Sequence, residues 1–179
     1  MNLDWFSPFD CGTEQCNDLR YRIERQTDGG AWAAAGEVLG YQGTDKSFTN
    51  LDYGRTYTFR VSAVNGAGTS PPSNTVSGRR VTTPNAPDWV DTCVMGSGGN
   101  EWTVEWGTDT GQPPFDGGSP ITSYLLTWEG GQAYANSMPY MVTSGTTGTL
   151  WVYAVNSVGR SNGRAYGYLG SSDFCPGTE

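Results

Sequence analysis

The 179-residue chain contains no histidine, a single lysine (Lys46) among its ten basic residues, and no long apolar run. Each absence excludes something. Without histidine the commonest general base is missing, and with it the middle member of Ser-His-Asp arrangements and the usual mixed zinc sites. Ten basic against 18 acidic residues give a net charge of −8, a field that repels phosphate backbones and anionic lipid surfaces, so nucleic acid is not an expected partner. Stretches such as Val61 to Val64 are too short to span a bilayer, and Met1 to Cys11 has neither the basic start nor the apolar centre of a signal peptide, so no membrane insertion is expected. No Asn-x-Ser/Thr sequon occurs, which removes N-glycosylation. Runs of Ala, Leu, Glu and Lys are missing as well, whereas 7 Trp, 10 Tyr and 26 Gly accompany frequent Val and Thr; that balance predicts an all-β fold.

Strands are marked by period-two alternation bounded by Gly, Pro, Asn and Asp. They fall into two similar sets. The first comprises 2–6, 19–26, 31–38, 46–50, 56–64 and 74–82, with a hairpin turn at Gly29-Gly30. The second comprises 88–95, 101–106, 121–129, 132–135, 139–143, 149–155 and 164–169, with a turn at Gly130-Gly131. Between them Thr83-Pro84-Asn85-Ala86-Pro87 reads as a short semi-rigid spacer. An internal repeat supports the division. Leu3-Asp4-Trp5 matches Val104-Glu105-Trp106, Leu19 to Ile23 matches Thr122 to Leu126, and Arg60 to Asn65 matches Trp151 to Asn156, each of the last two followed by a glycine, Gly68 or Gly159. The predicted domains are therefore 1–83, a linker at 84–87, and 88–179.

These residues resemble the fibronectin type III family: a Trp ending the second strand, a loop of the form Asp116-Gly117-Gly118-Ser119-Pro120-Ile121 leading to Tyr124, and an Ala-Val-Asn strand with its Gly. Leu51, Gly54 and Tyr57 of the first copy are similar to the family's tyrosine corner, in which a phenol caps nearby backbone. The resemblance implies two tandem immunoglobulin-like β-sandwiches, with no enzymatic activity and no cofactor. The copies also depart from the pattern. Gly148 stands where Tyr57 would fall in the second copy, and the first copy lacks a counterpart of the strand at 88–95. Its edge is either completed by chain preceding Met1 or filled by a neighbouring chain, as in β-augmentation.

Four cysteines, Cys11, Cys16, Cys93 and Cys175, allow three pairings. The expected set is Cys11 with Cys16, cinching one loop, and Cys93 with Cys175, tying the start of the second module to its end; chain entropy assigns these closures about 2 and about 4.5 kcal/mol. Disulfides imply an oxidising location: extracellular, cell surface or virion surface. No metal site is expected. Carboxylate pairs such as Asp109 with Asp116, or Asp45 with Asp52, read as turn chemistry rather than as catalytic acid and base. Asn162-Gly163-Arg164 reads as a hairpin turn. The candidate binding face is an aromatic strip of Trp151, Tyr153, Tyr166 and Tyr168, with core packing as the competing use of any one ring. The implied role is a structural or interaction module, used as spacer, adhesion or decoration unit of an extracellular, fibre or virus-particle surface, with protein partners or self-assembly through exposed edge strands. The alternative is an accessory module of a secreted polysaccharide-degrading enzyme, with a glycan as partner.

Overall fold

The computed structural model describes residues 1–8, 18–94, 101–143 and 148–169, the backbone alone at 143 and 165–169. The chain divides into two units, Met1–Arg80 and Val81–Glu179.

The first unit holds β1 (Asn2–Asp4), β2 (Arg20–Thr27), β3 (Ala33–Leu39), β4 (Asp45–Ser47), β5 (Thr56–Asn65), β6 (Gly68–Thr69) and β7 (Val76–Arg79), with one 3-10 turn at Gly40–Gln42. β1 and β4 form a two-stranded antiparallel sheet; β3, β2 and β5 form the other, and β6 and β7 both pair with β5. Alternation decides what goes inside. Along β5, Tyr57, Phe59 and Val61 are buried while Thr58 and Arg60 point outward, and Tyr21 and Ile23 of β2 complete the core with Leu3, Leu19 and Leu51.

The second unit holds β8 (Trp89–Val94), β9 (Glu101–Gly107), β10 (Ser123–Trp128), β11 (Gly131–Ala135), β12 (Tyr140–Thr143), β13 (Gly148–Val155) and β14 (Arg164–Leu169). Its sheets run β12-β9-β8 and β11-β10-β13-β14, all antiparallel. Trp102, Val104 and Trp106 from one sheet meet Leu126, Leu150 and Val152 from the other, the two-layer packing that lets a sheet bury one face.

All the strands expected from the alternation are present, with ends shifted by up to three residues in either direction, and three details differ. The turn of the first hairpin centres on Asp28-Gly29, at φ 48° and 76°, closed by Gly30 N–H on the Thr27 carbonyl at 2.9 Å. Positive φ at both positions is the type I′ geometry that matches strand twist; the Gly-Gly pair drew attention one residue too late. The second hairpin shifts likewise, because Trp128 pairs with Gly131 and Gly130, at φ 87°, sits inside the turn. The strand expected over 74–82 is shortened to β7, and an unexpected two-residue strand, β6, precedes it across Pro71-Pro72, where proline withholds the ladder donor. Residues 82 to 85, at the start of the second unit, are bonded to its 115–117 stretch, Thr82 N–H to the Gly117 carbonyl and Asn85 N–H to the Phe115 carbonyl, at 2.9 and 2.8 Å.

Candidate functional site

The repeat positions do matching work in both units. Trp5 meets Tyr21 edge-on at 5.3 Å between ring centres, and Trp106 meets Tyr124 at 5.0 Å. Asn65 accepts the backbone N–H groups of Ala67 and Gly68 at 2.9 and 3.1 Å, and Asn156 accepts those of Val158 and Gly159 at 2.9 and 3.2 Å. The glycines that end these turns have φ 146° and 152°, which explains the Asn-x-x-Gly spacing. One repeat position escaped the sequence reading. Ser70 and Ser161, equally spaced from the two asparagines, accept the N–H of Ala63 and Ala154 through their hydroxyls, both at 3.0 Å. The signal was there, as a serine at a constant offset from each Ala-Val-Asn.

Tyr57 closes the corner the sequence suggested: its phenol oxygen accepts Asp52 N–H at 2.9 Å. Asp116 is occupied in its turn, accepting Gly118 N–H at 2.7 Å, and Asp109 donates its own N–H to Asp88 Oδ2 at 3.2 Å. Among the described residues no three His, Cys, Asp or Glu side chains gather as a metal site, and no helix is long and apolar enough to cross a membrane. Cys11, Cys16 and Cys175 lie outside the described residues; Cys93, on β8, is not a free thiol.

Of the aromatic strip, Trp151 and Tyr153 lie together on the outward side of β13, Trp151 39% exposed. Their own 160–163 loop lies over them. A Cβ on Gly163 would fall 2.6 Å from Tyr153 and 2.9 Å from Trp151, and the Arg160 guanidinium stacks 4.5 Å from the Tyr153 ring centre. β14 places Ala165 opposite Trp151 and Tyr168 opposite Thr149, with a bulge between; the side chains of Tyr166 and Tyr168 lie outside the description.

A second aromatic feature was not anticipated. At one end of the second unit a groove of about 440 Å³ is walled by Trp89, Trp106, Tyr124, Pro113, Pro114 and Met138. Trp89 pairs across the strands with Gly107, and its indole covers that glycine so closely that a Cβ there would sit 2.5 Å from the ring. A bare glycine thus seats the indole. Burial raises the Tyr124 pKa, opposed by a hydrogen bond from the Trp106 indole. The wall residues come from four separate stretches, so no local motif announced them.

Two antiparallel sheets packed face to face in each unit define a tandem of immunoglobulin-like β-sandwiches. The family model of the fibronectin type III domain matches residues 1–79, nearly the whole of the first unit; the second unit repeats the strand order of the first and adds β8. Among solved structures, the chain is similar to a two-domain fibronectin type III segment of chicken tenascin at 19% identity and TM-score 0.45, over 95% of this chain and 91% of that one. It is also similar to the FN1–FN3 domains of chicken CNTN1 at 19% identity and TM-score 0.37, over 84% of this chain and 55% of that one.

Proposed function

We propose that the chain is a non-catalytic structural and interaction module of an extracellular, fibre or virus-particle surface, working as spacer, adhesion or decoration unit. The observation that carries this reading is an open sheet edge. Where the second unit has three strands, β12-β9-β8, the first has only β1 and β4 among the described residues, so the outer side of β1 presents backbone groups for an added strand. The fibronectin type III match supports an interaction role by fold-level analogy. An oxidising location is supported by the bonded state of Cys93, with Cys93–Cys175 and Cys11–Cys16 as the proposed pairs. The proposed domain limits remain 1–83 and 88–179 around the 84–87 linker, and the strip around Trp151 and Tyr153 is a secondary contact face.

The test is the native mass of the full chain without reductant, by light scattering across a concentration series, with hydrogen exchange followed at the amides of Asn2 to Asp4. A discrete oligomer or filament that protects those amides is the expected result. A stable monomer at every concentration, with the β1 amides exchanging freely, removes self-assembly through this edge.

A further inference from the structure

The groove of the second unit has no place in the edge-strand reading, and its surroundings state what it accepts. Of the three aromatic rings that wall it, Trp89 is 37% exposed and is the one open to a cation on its negative π face, while Trp106 is buried in the core and Tyr124 packs against it. The charge of the unit is lopsided: Val81–Glu179 carries two basic residues, Arg160 and Arg164, against nine acidic ones. Two of those acids, Asp88 and Asp109, are exposed chain neighbours of groove residues. Asp88 directly precedes Trp89, and its carboxylate accepts the N–H of Asp109, which follows the groove residue Thr108. Further along the same outward side of β8 and β9, Asp91 stands directly opposite Glu105, both exposed, a cross-strand like-charge pair that is unfavourable without a cation nearby. The two described salt bridges both lie in the first unit.

The chain's own chemistry shows the complementary contact. Four arginines stack on aromatic rings at 4.0 to 5.2 Å, on Tyr57, Trp32, Tyr53 and Tyr153, whereas such pairs occur only about once per 70–80 residues. None of these four stacks falls on Trp89, Trp106 or Tyr124. An exposed indole fixed over Gly107, with carboxylates on the residues next to Trp89 and Thr108, fits a guanidinium.

We propose that this groove binds an arginine side chain presented by an extended basic segment of a partner protein, the guanidinium stacking on Trp89 and paired with Asp88 or Asp109. The proposal rests on the interaction-module reading but engages a different surface, and the two are read at different atoms: β1 amides for the edge, the Trp89 indole N–H for the groove.

The experiment titrates the full chain with three synthetic peptides, a glycine-serine backbone bearing spaced arginines, the same bearing lysines, and the same bearing glutamates, and with a neutral oligosaccharide, following the Trp89 indole by NMR. The arginine peptide is expected to shift that signal saturably, more tightly than the lysine peptide, with affinity falling as salt rises. Trp89→Ala is expected to weaken it about tenfold. Asp88→Asn with Asp109→Asn, which keeps the shape of the groove, is expected to weaken it several-fold and flatten its salt dependence. Equal response to the glutamate peptide, no response to the arginine peptide, or a response confined to the oligosaccharide each overturns the proposal. So does a concentration-dependent shift of the Trp89 signal without any peptide that Asp88→Asn leaves intact, which would assign the groove to a second copy.

Discussion

Tyr57 shows what one hydroxyl contributes. The ring is buried and its oxygen accepts the N–H of Asp52, so Tyr57→Phe keeps the packing and strands one backbone donor; the expected loss is about 1–3 kcal/mol, measured by denaturant unfolding of the first unit. Thr92 is the converse. It points between Val90 and Val94 into the core of the second unit, and its hydroxyl has no hydrogen-bond partner. Thr92→Val removes an unsatisfied polar group at nearly constant shape and is expected to raise stability by about 1 kcal/mol. Asp28 gives a pH signature. Its carboxylate accepts the Thr56 N–H at 2.8 Å and, by a lesser effect, meets Arg55, so its pKa is lowered from 3.8 despite some desolvation. A lowered folded pKa means a contribution fully present above pH 4 and lost as the pH falls through the folded value. The stability difference between the parent and Asp28→Asn is therefore expected to close in strongly acidic solution, and an Asp28 carboxyl titrating at or above its ordinary value would refute the assignment. Of these residues, Tyr57 was legible beforehand because its neighbours Leu51 and Gly54 share a pattern. Thr92 was not, because alternation places a residue inside without saying whether its hydroxyl finds a partner.

At the scale of elements, most of the architecture could be read in advance, since period-two alternation is a direct consequence of burying one face of a strand. What slipped were features set by backbone conformation or by contacts distant in sequence. The hairpins turned one residue early because positive φ at Asp28 is not visible in a Gly-Gly pair, and the break between β6 and β7 follows from Pro71-Pro72 and from Ser73, which accepts the Val61 N–H in place of a ladder carbonyl. The groove was illegible for a related reason: Trp89, Trp106, Tyr124 and Met138 share no periodicity. The Asn-x-x-Gly turns were legible as a repeat but not in their unequal burial. Asn156 is 5% exposed and also donates to the carbonyls of Thr82 and Asp116, at 2.7 and 2.8 Å, tying the 82–85 segment to the loop before β10. Asn156→Ala is therefore expected to cost roughly 3 kcal/mol and Asn65→Ala nearer 1 kcal/mol, by equilibrium unfolding of each variant. Equal costs would mean that the links to Thr82 and Asp116 contribute nothing.

At the scale of the whole chain, the two units solve the same closure problem with different means. The first locks the segment before β5 through Tyr57, with Arg80 donating to the Leu51 carbonyl at 2.5 Å. The second has Gly148 at the matching place, with φ 115° and no side chain to reach back, so the burden passes to other ties. One is the asparagine anchor; the other is the covalent bond proposed from Cys93 on β8 to Cys175. A closure of that length removes about 4.5 kcal/mol of denatured-state freedom, against about 2 kcal/mol for a Cys11–Cys16 loop. Reduction is therefore expected to act unequally. In a melt followed by NMR, the indole signals of Trp102 and Trp106 should collapse at clearly lower temperature with reductant, while that of Trp5 shifts little. Equal shifts in both units, or a non-reducing peptide map joining Cys93 to Cys11 or Cys16, would place the covalent tie between the units and overturn the view that each sandwich closes itself.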